Sequence, residues 1–175
     1  EKSPVMLNDL INEFLLTPEF ICIQEAAPGI LIQAGLDPGL KHINASKISI
    51  FKLMMNLVMN AAEAVTGTGR IGISTKNLHL YAPLSGYDQI ENGEYVVLTV
   101  SDSGHGISPD HLERIFEPFY STKIMGKSGT GLGLTIVWNI IQDHQGYVNI
   151  VSSEQGTRFE CYFPVAGEIE EVGQK

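Results

Sequence analysis

The sequence predicts an α+β fold, a two-layer sandwich with a mixed, mostly antiparallel sheet and helices on one of its faces. Helical and strand-like segments do not alternate strictly along the chain, as they would in a doubly wound parallel sheet. Two pairs of consecutive strand-like segments are joined without an intervening helix, which makes each pair antiparallel. With 175 residues, 43% of them hydrophobic and 18% charged, the chain suits one domain with a sizeable core.

The first third of the chain contains two helical patterns and one strand pattern. Apolar residues at helical spacing predict a helix over 7–16, which ends before a proline. Segment 20–27 is compatible with either a helix or a strand, because its alternation is imperfect. Residues 29–35 predict a strand at the edge of the sheet. Ser46 is a plausible N-cap for a long, largely buried helix over 47–65.

The middle of the chain predicts an antiparallel strand pair. Residues 70–81 alternate between apolar and polar side chains, as a half-buried strand does. Residues 83–92 are mostly polar and predict a loop. Residues 95–101 are rich in β-type side chains and predict the second strand of the pair.

The last third predicts two more helices and a hairpin. A proline followed by an aspartate opens a short helix over 109–116. Apolar positions at helical spacing predict a helix over 135–144. Strands over 147–152 and 158–163 are predicted to form a hairpin, because a glycine-containing turn lies between them.

Composition sets limits on function. The formal net charge is −9, and 11 scattered Lys and Arg cannot assemble a basic face, so no nucleic acid is expected as a partner. An acidic domain can still bind a nucleotide if its few cations lie at the phosphates, and Lys123 and Lys127 in the central loop are suitably placed. The polar, acidic segment 167–175 predicts a solvated tail or linker, which leaves residues 1–166 as the predicted domain.

Cysteine usage and hydropathy concern the cellular compartment. Cys22 and Cys161 lie in apolar patterns far apart in the chain, so two buried free thiols are expected rather than a disulfide. No apolar run approaches transmembrane length and no signal peptide is visible, so a cytoplasmic location is expected. The chain begins at Glu1 rather than methionine, which suggests a fragment of a larger parent protein.

Two glycine clusters predict a nucleotide site. They are D-S-G-H-G at 102–106 and G-T-G-L-G-L at 129–134. Glycines allow backbone amides to approach an anionic ligand closely, and Asp102 can accept a hydrogen bond from a base edge. The second cluster is not a dinucleotide fingerprint, because it is G-x-G-x-G and follows a loop. It is not a Walker A loop either, because serine occupies position 121, where that motif needs glycine.

Two amides interrupt the apolar stripe of the long helix. Asn56 and Asn60 are four residues apart and therefore share one helix face. Such amides can cap backbone groups in the core, or they can face a cavity where a carboxamide oxygen coordinates Mg²⁺. The helix pattern alone leaves both alternatives open.

Four separated motifs resemble those of one family. They are N-L-V-M-N-A at 56–61, D-S-G-H-G at 102–106, F-E-P-F at 116–119 and G-T-G-L-G-L at 129–134. In this order and spacing they resemble the asparagine, first glycine, phenylalanine and second glycine boxes of sensor histidine kinases. G-T-R-F at 156–159 is similar to the strand that closes the family's base pocket. The resemblance covers about residues 7–165 and implies the Bergerat ATP-binding fold of the gyrase, Hsp90, histidine kinase and MutL superfamily.

The resemblance also implies roles for individual residues. Asp102 would accept a hydrogen bond from the adenine amine, with Thr157 completing the network through water. Asn60 would bind Mg²⁺, which favours the cavity alternative, with Asn56 supporting the phosphate end. The phenylalanines of the third box would anchor a lid or pack on a partner helix. Catalysis is expected from Asn56, Asn60 and Lys123, and ATP and metal binding from Asn60, Asp102, Gly104, Gly106, Ile107, Lys123, Lys127, Gly129, Thr130, Gly131, Leu132, Gly133, Leu134 and Thr157.

The chain departs from the family pattern beside the metal asparagine. Family members often carry a lysine three residues after it and an aromatic residue one further on, whereas this chain has Glu63 and Ala64. The site therefore loses one possible phosphate contact and one possible stacking ring. ATP-hydrolysing members carry a glutamate four residues before the metal ligand, but this chain has Asn56, and an amide cannot act as a general base.

The expected activity is therefore transfer of the ATP γ-phosphoryl group to an external histidine. None of the five histidines lies in the helical context of a phosphoacceptor. The resemblance implies two partners, a histidine-bearing dimerisation domain of the same parent protein and a response regulator receiver domain. It is also compatible with a membrane-anchored parent protein. The isolated domain is expected to be a monomer. An anti-sigma-type serine kinase and a non-catalytic ATP-sensing module stay open as alternatives.

Overall fold

A computed structural model describes residues 1–120 and 133–167. The helices are α1 (Leu7–Phe14), α2 (Pro18–Ala26), α3 (Lys47–Ala64), α4 (Pro109–Leu112) and α5 (Gly133–Asp143). The strands are β1 (Ser3–Val5), β2 (Ile30–Gly35), β3 (Ile43–Ala45), β4 (Gly69–Leu80), β5 (Leu84–Ser85), β6 (Gln89–Ile90), β7 (Gly93–Asp102), β8 (Tyr147–Ser153) and β9 (Gly156–Pro164).

The main sheet has five strands in the order β2-β4-β7-β9-β8. Only the β2–β4 pair is parallel, and the other three pairs are antiparallel. The predicted mixed, mostly antiparallel sheet is therefore confirmed, and so is the edge position of β2. A small antiparallel ribbon of β1 and β3 was missed, because three-residue strands are too short to show a period.

The helices pack on one face of this sheet and enclose the main core. Helix α3 lies at its centre, and Leu53, Met54, Leu57 and Val58 are at most 1% exposed. Their spacing follows the apolar stripe of the sequence, which lets one helix face contact the sheet while its sides contact α1 and α5. The predicted cap is also confirmed, because the Ser46 hydroxyl accepts a hydrogen bond from the Ser49 N–H.

The opposite face of the sheet is covered by a structured hairpin, so the prediction of a loop over 83–92 was wrong. Strands β5 and β6 pair antiparallel there. Ile90 is fully buried against Tyr95, Val97 and Tyr162, which form a second hydrophobic cluster. The segment is polar on average, but its few apolar side chains cover the outward-facing residues of the sheet.

Two other segments differ from their predictions or resolve them. Segment 20–27, which was compatible with helix or strand, belongs to α2, where the Thr17 hydroxyl accepts a hydrogen bond from the Phe20 N–H. The short helix predicted over 109–116 ends at Leu112, because the following backbone bonds join residues three apart, as in successive turns.

The cysteine prediction was half right. Cys161 is buried, and burial raises the pKa of its thiol to about 12. Cys22 is exposed, contrary to the expectation. It lies on α2, whose apolar side chains are not segregated onto one face, so that only Phe20 is buried. Across residues 1–120 and 133–167, no helix combines the length and apolar character needed to cross a bilayer.

Candidate nucleotide site

Asp102 is the last residue of β7, at the end of the sheet where two neighbouring strands meet it. The strand register pairs it with Ile71 of β4 and Thr157 of β9. Its Oδ1 accepts a hydrogen bond from the Gly104 N–H at 2.9 Å. Burial raises the pKa of the Asp102 carboxyl, and hydrogen bonds from the Gly104 and Thr157 backbones oppose that rise in part, as does nearby His105. The carboxylate is thus a half-buried acceptor fixed by backbone donors.

The glycines of the first box pack against protein backbone. A Cβ placed on Gly104 would lie 2.4 Å from the Ala64 carbonyl oxygen, at the end of α3. Gly106 has φ +77°, and a Cβ there would lie 1.9 Å from the Ser153 carbonyl oxygen. Both positions therefore need glycine to bring the turn after β7 against α3 and β8.

Beside Asp102 lies a pair of hydroxyls. Thr157 is buried, and its Oγ1 is 2.8 Å from the Ser152 Oγ. The Ile107 N–H donates to the same Ser152 oxygen at 2.7 Å. This network joins the predicted residues Ile107 and Thr157 through Ser152, which sequence reasoning missed. One indication of Ser152 was present in the sequence, namely the predicted hairpin, because the hairpin register places Ser152 opposite Thr157.

One face of α3 connects two ends of the site. Asn56, Asn60 and Ala64 recur every four residues along it, and Asn60 lies about 6 Å along the axis from each neighbour. At one end, the Ala64 carbonyl accepts a hydrogen bond from the His105 N–H of the first glycine box. At the other end, a Cβ placed on Gly133 would lie 3.0 Å from the Asn56 Oδ1.

The two asparagines differ in their bonding. Both are half-buried rather than part of the core. The Asn56 Nδ2 donates to the Lys52 carbonyl at 2.7 Å, within its own helix, while its Oδ1 faces the start of α5. Among the residues that the structure describes, Asn60 makes no hydrogen bond through its side chain. The described residues therefore leave its carboxamide open to a ligand between the two ends of the site.

Of the second glycine box, the structure describes only the last two residues. Gly133 and Leu134 are the first described residues of α5, which was predicted over 135–144. The remaining predicted residues lie outside the described ranges. They are Lys123, Lys127, Gly129, Thr130, Gly131 and Leu132.

The phenylalanine box is attached to α5. The Phe116 ring lies 5.0 Å from the Trp138 ring, centroid to centroid. The Thr135 hydroxyl donates to the Phe116 carbonyl at 3.0 Å. Phe119 instead has φ +63° and is 75% exposed. The two phenylalanines thus have different environments, one packed on the helix and one open to solvent.

His144 directly follows the end of α5, close to where the helix predicted over 135–144 ends. Its Nδ1 lies 2.7 Å from the Ile140 carbonyl, and its Nε2 accepts a hydrogen bond from the Ser46 N–H at 3.2 Å. The imidazole is buried and ties α5 to the start of α3. Both ring nitrogens are engaged, so neither is free to receive a phosphoryl group.

Comparison with known proteins agrees with this arrangement. Residues 45–167 match the family described as histidine kinase-, DNA gyrase B-, and HSP90-like ATPase. The sensor histidine kinase ZraS of Salmonella typhimurium is 35% identical over 162 residues, which are 92% of this chain and 31% of that protein. The catalytic domain of histidine kinase ThkA has a TM-score of 0.72 at 29% identity, covering 94% of this chain and 96% of that one. Full-length ShkA in complex with AMPPNP has a TM-score of 0.70 at 25% identity, covering 96% of this chain and 32% of that one.

The fold and the site define an ATP-binding catalytic domain of the histidine kinase type. This chain belongs to the histidine kinase-, DNA gyrase B- and HSP90-like ATPase family. It spans about a third of the length of ZraS, one of the curated sensor kinases that it matches.

Proposed function

We propose that this chain binds Mg²⁺-ATP and transfers the γ-phosphoryl group to a histidine on a dimerisation domain of its parent protein, within two-component signal transduction. The observation that carries the proposal is the α3 face, because it joins the turn that follows the half-buried Asp102 carboxylate at one end to the start of α5 at the other. Adenine and phosphates need these two environments at the two ends of one site.

At the base end, Asp102 accepts a hydrogen bond from the adenine amine. Its carboxylate already receives backbone donors, so its position is fixed before the base arrives. Guanine presents a carbonyl where adenine presents the amine, and an unpaired buried acceptor costs about 1–3 kcal/mol. The Thr157 hydroxyl, held by Ser152, contacts the base through water. Gly104 and Gly106 allow the turn after β7 to lie beside the base.

At the phosphate end, the first N–H groups of α5 offer donors and a favourable dipole to anionic oxygens. Gly133 lies at this start. Asn60 supplies one carboxamide oxygen to Mg²⁺, which suits a metal that takes few protein ligands and fills its shell with phosphate oxygens and water. When bound, Mg²⁺ neutralises charge on the phosphates. Binding of phosphates by Lys123, Lys127 and residues 129–132 stays a prediction from the resemblance.

Transfer to another molecule is favoured over hydrolysis. A hydrolytic member needs a general base near the phosphates to activate water. Asn56 occupies that position here, cannot take up a proton, and has its Nδ2 bonded to its own helix. The acceptor is therefore an external nucleophile. ZraS is a sensor histidine kinase roughly three times as long as this chain, which supports a further domain, such as a dimerisation domain, in the parent protein.

Two measurements test the proposal in sequence. The first is calorimetric titration of the chain with ATP and GTP, each with and without Mg²⁺. We expect ATP to bind more tightly than GTP and Mg²⁺ to strengthen binding. Failure of ATP to bind would overturn the proposal.

The second measurement adds a histidine-bearing helical hairpin from the dimerisation domain of the parent protein, together with radiolabelled ATP, and follows acid-labile phosphate on the hairpin. We expect label on the hairpin and little free phosphate. Rapid phosphate release without labelling would contradict a transferase role. Acid-stable label on an added protein would favour the serine kinase alternative, and ATP binding without either product would favour the ATP-sensing module.

A further inference from the structure

The β5–β6 hairpin is attached to the face of the sheet opposite the described helices. Ile90 is fully buried in the second cluster, and Leu84 packs against the same cluster. At the turn, the Tyr87 N–H donates to the Asn149 Oδ1 at 3.0 Å. The Asn149 Nδ2 in turn donates to the Glu160 Oε1 at 3.0 Å, so the turn is tied to both β8 and β9.

Tyr87 leaves this side of the sheet and reaches the other. The second cluster holds the other apolar side chains of the hairpin, but the Tyr87 ring packs against the main core. Since β8 is an edge strand, the hairpin passes around that edge. A Cβ on Gly86 would lie 2.3 Å from the Asn149 Oδ1, so a side chain at this position would displace the Asn149 amide. Burial raises the pKa of the Tyr87 hydroxyl, with Asp88 and Glu113 adding to the rise, so the ring stays neutral.

The Tyr87 ring meets the phenylalanine box. Its centroid lies 5.5 Å from that of Phe116 at an interplanar angle of 71°, a favourable edge-to-face geometry. Phe116 is thus held between Tyr87 and Trp138. Its carbonyl accepts a hydrogen bond from the hydroxyl of Thr135, which lies in the first turn of α5. A continuous set of contacts therefore runs from the hairpin to the helix start that borders the Asn56 Oδ1.

We propose that Tyr87 is a positioning residue for the phosphate end of the nucleotide site. It holds Phe116 against Trp138, and Phe116 keeps the first turn of α5 in place beside Asn56. The inference rests on the proposed Mg²⁺-ATP site and adds a residue outside its motifs. Tyr87 does not touch the base end, so its loss weakens the binding of phosphates and spares that of adenosine.

The experiment compares Tyr87→Ala, Tyr87→Phe and the control Tyr81→Ala. Tyr81 is a matched control because it precedes the same hairpin, is 86% exposed and stacks on His79 instead. Trp138 is the single tryptophan of the chain, so its fluorescence and its quenching by acrylamide report directly on the packing beside Phe116. Affinities for ATP with Mg²⁺ and for adenosine are measured on the same samples.

We expect Tyr87→Ala to increase acrylamide quenching of Trp138 and to weaken ATP binding about 2- to 10-fold, the range that one aromatic pair supports. Adenosine affinity should stay unchanged. Tyr87→Phe should restore both readouts, because the described contacts of the side chain are made by the ring. Tyr81→Ala should leave both unchanged.

A folded Tyr87→Ala protein with an unchanged ratio of ATP to adenosine affinity would overturn the inference, whether both affinities stay the same or both fall equally. If Tyr87→Ala does not fold, Tyr87→Leu keeps apolar volume without the ring and faces the same criteria. Failure of the proposed function itself would appear separately, as absence of ATP binding by the unchanged chain.

Discussion

Replacing Asp102 with asparagine probes base recognition with almost no change of shape. The Gly104 N–H and the Thr157 backbone need an acceptor at this side chain. The new carboxamide must therefore turn its oxygen toward them and its NH₂ group toward the base. An NH₂ group opposite the adenine amine places two donors together, so Asp102→Asn should lose the hydrogen bond and leave a polar group unpaired.

Asp102→Asn should reduce the free energy of ATP binding by about 1–3 kcal/mol, which is the cost of an unpaired buried polar group. This corresponds to about 5- to 150-fold weaker binding. GTP presents an acceptor at that point, so the ratio of ATP to GTP affinity should fall as well. Stability should not drop in parallel. Burial raises the pKa of this carboxyl in the folded state, so its ionised form opposes folding at neutral pH and removing the charge relieves that cost.

The assay is calorimetric titration with ATP and with GTP, combined with thermal melting. Asp110→Asn is the matched control, because Asp110 is exposed in the first turn of α4. It should bind both nucleotides as the unchanged chain does. A folded Asp102→Asn protein that keeps its ATP affinity would refute the reasoning about this carboxylate.

Three further predictions concern pH, the metal and the backbone. Adenosine binding should weaken as pH falls through the raised pKa of Asp102, because the protonated carboxyl presents an O–H donor where the adenine amine needs an acceptor. The decline should begin above the ordinary Asp value of about 3.9, and titrations at successive pH values measure it. Asn60→Ala should abolish the Mg²⁺ dependence of ATP binding and leave adenosine binding intact, whereas exposed Asn92→Ala should change neither in calorimetry. Gly67→Ala, at φ +75° in open space, should cost about 1–2 kcal/mol in urea unfolding, whereas Gly106→Ala, at φ +77° against backbone, should cost about 1–3 kcal/mol more.

Each of these predictions has a clear contrary result. Adenosine affinity that is flat down to pH 4 would show that ionised Asp102 does not hold the base. Unchanged Mg²⁺ dependence in Asn60→Ala would remove that residue from the metal site. Equal destabilisation by the two glycine substitutions would mean that Gly106 is needed for its φ alone and not for the close approach of β8.

Elements with a long local pattern were predictable. Helix α3 has an apolar stripe and a serine cap, strand β4 alternates between buried and exposed side chains, and β7 is rich in β-type side chains, so local sequence alone identified them. The short elements were not predictable in this way. Strands β5 and β6 have two residues each and exist because the sheet offers an apolar face to cover.

The same distinction between local patterns and distant contacts applies to the residues of the site. Motif residues such as Asp102 and Asn60 could be named from the sequence, because their chemistry and spacing are local. Contacts between distant segments could not be named in this way, since Ser152 meets Ile107 across 45 positions of the chain. Tyr87 meets Phe116 in the same way, and neither pair leaves a periodic signal.

The sequence by itself thus determined the class of fold, the long elements and the residue types of a nucleotide site, because periodicity and motif spacing follow from backbone geometry. The tertiary structure alone decided which backbone groups hold Asp102, which end of α3 meets which glycine box, and how the hairpin reaches the phenylalanine box. Those contacts join distant segments, and their position depends on how the sheet and helices pack.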